Sequence, residues 1–222
     1  VAVLACPPVQ VRAMTNAVKK AFDKIKIEYK AVEPGASCAV EPVDGKDYAL
    51  TQGCQRTLLD FLAALPHGVV AMHPEIAGLT ETSTNLAIVK TGKKDFQVLC
   101  STRSSVASAL EATRGVIVSV CALAGAKAEL HGGYPGWMPN LESPLLGKLK
   151  AIYQRTFGKE AEVVAVHAGL ECGIIGEKFP GMDMISFGPT MKNPHSPEEH
   201  VHIGSVGKFW KFLTTALDGL SS

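Results

Sequence analysis

The 222 residues carry 22 Lys and Arg against 21 Asp and Glu, a formal net charge of +1. A balance this close to neutral offers no basic surface for a polyanion, so neither nucleic acid nor an anionic membrane is an expected partner. Hydrophobic residues make up 46% and charged residues 19%, the composition of a soluble, well-cored chain long enough for one large domain or two small ones. No apolar run approaches the roughly 20 residues that span a bilayer. Cys6, Cys38, Cys54, Cys100, Cys121 and Cys172 include no CxxC pair. A zinc ribbon therefore fails on spacing, and a reduced, cytoplasmic chain is expected.

Residues 1–6 read as a strand stopped by Pro7-Pro8. The chain opens there without an initiator Met or a basic leader, and so reads as a processed product or a piece of something longer. Residues 9–29 show helical spacing, with Val11, Met14, Val18, Phe22 and Ile25 on one face and lysines on the other. Pro34-Gly35 and Asp44-Gly45 punctuate a loop or hairpin over 33–47, and a second helix is predicted over 53–65. Residues 84–90 and 95–102 flank the turn Thr91-Gly92-Lys93-Lys94, a hairpin signal. A helix over 104–124 follows, with Val106, Leu110, Ile117 and Cys121 inward. Gly125 ends it and a strand over 127–131 resumes. Strand, strand, helix, strand with short links is an α+β layer, half of a ferredoxin-like unit.

The turn-rich run His131-Gly132-Gly133-Tyr134-Pro135-Gly136-Trp137 marks a domain boundary. Beyond it the pattern predicts helices at 144–157, 169–177 and 203–217 and strands at 162–166 and 182–187. Helices alternating with short apolar strands suggest part of an α/β sheet.

Three segments could carry chemistry. In Val166-His167-Ala168-Gly169-Leu170-Glu171-Cys172-Gly173 an apolar strand runs into a glycine-bearing turn that opens a helix. Such strand ends bind ligands in open α/β sheets, with His167 and Glu171 flanking the spot and backbone N–H groups free for a carboxylate. A tight connection alone would use the same glycines. In the second segment, Pro194-His195-Ser196-Pro197, a histidine between two prolines has the rigidity that suits a metal ligand. A plain surface loop is the other reading. His200 and His202 lie near enough in sequence to suggest a local zinc cluster, and Glu198-Glu199 could instead serve the next helix N-terminus. The third is Arg103, between a strand and a helix, placed to pair with a substrate carboxylate or simply to face solvent. Thr82, Ser83 and Asn85 are polar handles on the preceding strand, and Tyr134 and Trp137 could line a pocket or pack the junction. Cys172 with His167 would make a thiol hydrolase, but no third group orients the pair.

These segments, with Met182-Asp183-Met184-Ile185-Ser186, Gly188-Pro189-Thr190 and, upstream, Glu81-Thr82-Ser83-Thr84-Asn85, resemble the C-terminal signature of the aminoacyl-histidine dipeptidases. That family is carnosinase-like and belongs to the co-catalytic zinc metallopeptidases. The resemblance covers roughly residues 68–217. It implies a mixed fold: residues 1–130 as the second half of an α+β lid and dimerisation domain, and 131–222 as the C-terminal part of a zinc-peptidase α/β catalytic domain. It implies His195 as a zinc ligand and Arg103, Asn85, His167, Gly169 and Glu171 at the substrate. It also implies hydrolysis of short peptides, such as aminoacyl-histidine dipeptides, by metal-activated water, with a homodimer through the lid.

The family's other ligands and its general base come from a His-x-Asp segment, a Glu-Glu pair and a further Asp that these 222 residues do not contain. The only Glu-Glu pair here, Glu198-Glu199, belongs to the Pro-His-Ser-Pro loop. No catalytic residue is therefore expected within the chain. One imidazole cannot hold zinc tightly. The chain on its own is expected to be inactive and metal-free, with the N-terminal half of the enzyme as its partner. A non-catalytic, lid-like self-association or regulatory module is the alternative.

Overall fold

The computed structural model describes residues 1–43, 49–92, 94–133, 135–165 and 171–221. It divides into two units, Val1–Thr57 and Leu58–Ser222. In the first, a single 3-10 turn, Pro8–Gln10, leads into α1 (Val11–Glu28). Met14, Val18 and Phe22 lie half-buried on the predicted face, while Val11 and Ile25 at its two ends are exposed. Helix α2 (Gln52–Ala64) spans the division between the units.

In the second unit, β1 (Gly68–Met72), β2 (Thr80–Thr91) and β3 (Phe96–Ser104) form an antiparallel sheet in the order β1-β2-β3. Strand β2 runs past the expected 84–90 at both ends and β3 past the expected 95–102 at its C-terminal end, and the Gly92 N–H donates to the Asp95 carbonyl at 2.8 Å to close the hairpin. Leu86, Phe96, Val98 and Cys100 turn inward onto Phe61 and Leu65, and onto Cys121 of α3 (Ala107–Leu123). Helix α3 stops in a Schellman arrangement. Gly125 takes φ 69°, its N–H reaches the Ala122 carbonyl at 3.1 Å, and the Ala126 N–H reaches the Cys121 carbonyl at 2.8 Å.

A second core joins α4 (Pro144–Phe157) to α6 (Ile203–Leu220) through Leu149, Ile152, Phe212 and Ala216. Tyr153 meets the Phe212 ring edge-on with centroids 5.2 Å apart, and Phe187 does so at 4.9 Å. Between these helices lie α5 (Glu171–Lys178) and a two-residue ladder of β4 (Met191–Lys192) with β5 (His200–Val201).

The mixed helix-and-sheet class holds, with small antiparallel sheets of α+β character. Four predicted strands are absent: 1–6, 127–131, the described part of 162–166, and 182–187 carry no ladder. A strand takes half of its backbone hydrogen bonds from a neighbour, and none of these segments pairs in a ladder among the described residues. Strand β1, which pairs with β2, was not predicted. Its Gly-Val-Val-Ala-Met run is too short and uniform to show a period of two.

Candidate metal and substrate site

His195 stands at the tip of the loop between β4 and β5, exposed to solvent. Its backbone is left-handed at φ 65°, and Asn193, two residues earlier, takes φ 52°. Left-handed backbone is uncommon outside glycine and concentrates at functional positions. The loop holds it with its own polar groups. Glu199 accepts from the His195 N–H at 2.9 Å through Oε2, and the Ser196 hydroxyl donates to the Asn193 carbonyl at 2.9 Å. At its base the Thr190 N–H donates to Ser205 Oγ at 2.9 Å, and that hydroxyl donates to the His202 carbonyl at 2.6 Å, tying the loop to the start of α6. The imidazole is thus presented outward from a backbone fixed at both ends.

The suggested His195/His200/His202 cluster does not form. His200 lies in β5 with its Nδ1–H donating to the Glu198 carbonyl at 2.7 Å, and His202 is the residue before α6. Among the described residues no three His, Cys, Asp or Glu side chains converge where they could hold a metal ion. Glu199 braces His195 rather than the helix N-terminus. An exposed, rigidly mounted imidazole fits one position of a metal shell, and about three protein ligands are needed to fill a catalytic one.

Asn85 and Arg103 come together on the sheet. Ser83 pairs with Arg103 and Asn85 with Ser101, so all four project from one face, where Asn85 and Arg103 are exposed diagonal neighbours. The intervening residues point inward. Thr82 is fully buried and its hydroxyl lies 2.8 Å from Ser104 Oγ, while Thr84 and Thr102 hydroxyls lie 2.9 Å apart. Thr82 is therefore a structural residue and not a substrate handle.

Glu171 opens α5 and is exposed. His167 and Gly169 lie outside the described residues, as does Tyr134. Around α5 the backbone packs too closely for side chains. A Cβ on Gly173 would overlap the Pro135 carbonyl oxygen, and one on Gly136 would overlap the Ser104 carbonyl oxygen. The Pro135-Gly136 backbone is thus held between the end of β3, next to Arg103, and α5, next to Glu171. Trp137 is half-buried at this junction. Burial pushes the Cys172 thiol up; a backbone hydrogen bond opposes this in part, and the neighbouring Glu171 carboxylate adds a lesser rise. A thiol hydrolase needs a thiolate, and this shift disfavours one.

Asp183 has a role that sequence reasoning missed. The Ser143 hydroxyl donates to its Oδ1 at 2.6 Å and the Leu145 N–H to its Oδ2 at 2.9 Å, while Ser143 Oγ accepts from the Leu146 N–H at 2.9 Å. A serine and a carboxylate together cap α4. The Ser143 hydrogen bond, then that from Leu145, holds the Asp183 carboxyl below its ordinary value. Ser143-Pro144, an N-cap before a proline at the first helical position, was the local signal; the partner 40 residues on was not readable.

The family model described as peptidase family M20/M25/M40 matches residues 11–218. The cytosol non-specific dipeptidase of Escherichia coli is 37% identical over 193 residues, 87% of this chain and 40% of that protein. The aminoacylhistidine dipeptidase of Vibrio alginolyticus superposes with a TM-score of 0.82 at 34% identity, over 96% of this chain and 43% of its own. The aminopeptidase PepT of Bacillus cereus shares the fold alone, with a TM-score of 0.60 at 14% identity over 76% of this chain and 46% of its own. The chain spans less than half the length of each of these proteins. The resemblance read from the ordered motifs holds, and the chain belongs to the peptidase family M20/M25/M40.

Proposed function

We propose that this chain forms the C-terminal part of a zinc-dependent, cytoplasmic dipeptidase that hydrolyses short peptides, among them aminoacyl-histidine dipeptides. His195 would hold a metal together with ligands from polypeptide beyond these 222 residues. The observation that carries this reading is the loop itself. It spends left-handed backbone at two residues and a glutamate hydrogen bond to present a solvent-facing imidazole, in a chain whose dipeptidase relative is 37% identical. When bound, the metal supplies Lewis acidity that polarises a peptide carbonyl and activates water.

The residues of this chain bind and orient. Arg103, with two parallel N–H groups, suits the substrate carboxylate, and Asn85 beside it can accept or donate to the peptide. Glu171, at the start of α5, borders the substrate, together with His167 and the Gly169 backbone. Residues 1–130 act as part of a lid and 131–222 as part of the catalytic domain, joined at the packed Pro135-Gly136 backbone. The general base, a glutamate, comes from outside the chain.

The test is an activity comparison with dipeptide substrate and added zinc. The 222 residues alone should not turn over substrate. A chimera, in which they replace the matched 193 residues of the E. coli dipeptidase, should do so in a His195-dependent manner. Turnover by a verified preparation of the chain alone, or a His195→Ala chimera as active as its parent, defeats the reading.

A further inference from the structure

The face that carries Asn85 and Arg103 holds one more charged group. Side chains alternate along β2 and β3, so Glu81 projects on the same side as Ser83 and Asn85. The Ser105 N–H donates to the Glu81 carbonyl at 3.1 Å, which carries the pairing one residue past the end of β3. Because Ser83 pairs with Arg103, Glu81 and Asn85 are the two diagonal neighbours of Arg103, each about 7–8 Å away and within reach of a long side chain. The two ends of this row differ. Asn85 is exposed, whereas Glu81 and Ser105 are half-buried, and a Cβ on Gly136 would lie 2.8 Å from Ser105 Cα. Arg103 therefore stands between an open amide end and a closed acidic end.

The chain's own groups leave the Glu81 carboxylate half used. Its Oε1 accepts from the Thr82 hydroxyl at 3.2 Å, and its Oε2 meets no donor among the described residues. No cation pairs with it there, and Arg103 in turn pairs with no carboxylate. Taking a carboxylate partly out of water without a cation or a full set of donors costs free energy, which a ligand bringing an N–H or a positive charge would offset. Arg103 suits the C-terminal carboxylate of a peptide, and Asn85 suits the peptide group beyond it. The carboxylate and the side chain of a C-terminal residue hang on one α-carbon, so a group next to Arg103 reads that side chain. With the peptide running toward Asn85, the side chain falls to Glu81. A carboxylate only accepts, so it favours a side chain that donates an N–H and repels one that is anionic.

We infer that Glu81 is a specificity-determining residue, selecting dipeptides whose C-terminal side chain donates an N–H, imidazole or ammonium, over those that end in an acidic residue. The inference rests on the dipeptidase reading for the substrate, and on the β2–β3 register and the unfilled carboxylate oxygen for the residue.

The test compares glycyl-histidine with glycyl-glutamate as substrates of the zinc-loaded chimera. The parent should prefer the histidine peptide in kcat/KM. E81Q keeps an acceptor for Thr82 but loses the charge, and should cut that preference about tenfold or more; E81K should reverse it. A preference within twofold of the parent's in both variants overturns the inference. Where the variants do not fold, the substrate carries the test. Glycyl-thienylalanine, whose ring has the shape of imidazole but no N–H, should fall about tenfold or more below glycyl-histidine with the parent, and equal kcat/KM overturns the inference. A chimera that cleaves the peptides through His195, with one preference for parent, E81Q and E81K, would remove the role of Glu81 and leave the dipeptidase reading standing. A chimera that cleaves neither peptide would defeat that reading, and binding to the 222-residue chain then decides for Glu81. By proton–nitrogen NMR the Glu81 and Arg103 amides should shift at about tenfold lower glycyl-histidine than glycyl-glutamate, and equal midpoints overturn the inference.

Discussion

The sharpest prediction concerns the conformation of His195. A non-glycine residue in left-handed backbone costs about 1–2 kcal/mol, chiefly from the Cβ against the carbonyl, and His195 sits there at φ 65°. Glycine at 195 escapes that cost but loses about 0.5–1 kcal/mol through the greater freedom of the unfolded chain. His195→Ala keeps the Cβ and the strain; His195→Gly removes both. The glycine variant should therefore be more stable than the alanine variant by about 0.5–1 kcal/mol, or about 2 °C in melting temperature for a unit of this size. A β-branched His195→Val should be the least stable of the three. Urea denaturation of the three variants, followed by circular dichroism, measures the order. Both His195→Gly and His195→Ala should abolish activity in the chimera, separating the imidazole from the backbone it rides on. An alanine variant as stable as the glycine variant would show that the backbone at 195 is not strained, and the case for a purpose-built ligand loop would lose its main support.

Four further outcomes follow from the packing. Ile152→Ala, at a side chain 3% exposed between α4 and α6, should cost about 2–5 kcal/mol in denaturant titration. Gly173→Ala should cost about 1–3 kcal/mol, because its methyl would displace the Pro135 carbonyl, and a melt no lower than the parent's would contradict the close packing. The depressed pKa of Asp183 means that its contribution is complete above the unfolded carboxyl value of 3.8 and is lost as pH falls through the lower folded value. The stability gap between parent and Asp183→Asn should therefore close below about pH 4, and a gap that widens in acid would reverse the assignment. Cys172→Ser should leave the kcat of the chimera within twofold, and a large loss would restore the thiol as a participant.

Helices with an amphipathic period and clear ends were legible. Residues 144–157 match α4 to the residue, because Ser143-Pro144 starts it and Gly158, left-handed at φ 70°, stops it. The β2–β3 hairpin was legible from its turn, and Gly125 from the end it makes to α3. The strands expected over 162–166 and 182–187 form no ladder among the described residues, since an apolar run states only that a segment is buried or paired. The site divides in the same way. The prolines around His195 announced rigidity, but not the left-handed backbone or the Glu199 brace, which depend on a hydrogen bond across four residues. Asn85 and Arg103 were picked out singly, and only the β2–β3 register shows that they share a face. The squeeze on Gly136 and Gly173 was invisible, because it requires three segments distant in sequence to meet.

Under the proposed function, His195 is one ligand of a metal site that other polypeptide completes. Long-range proton–nitrogen NMR of the histidine rings, recorded while zinc is titrated into the assembled chimera and into the 222-residue chain alone, tests it most directly. In the chimera one ring nitrogen of His195 should move to a metal-bound resonance at one equivalent of zinc or fewer, in step with the rise in dipeptidase activity. In the chain alone it should move only at large excess. Full activity in the chimera with the His195 ring resonances unmoved would show that His195 is not a ligand.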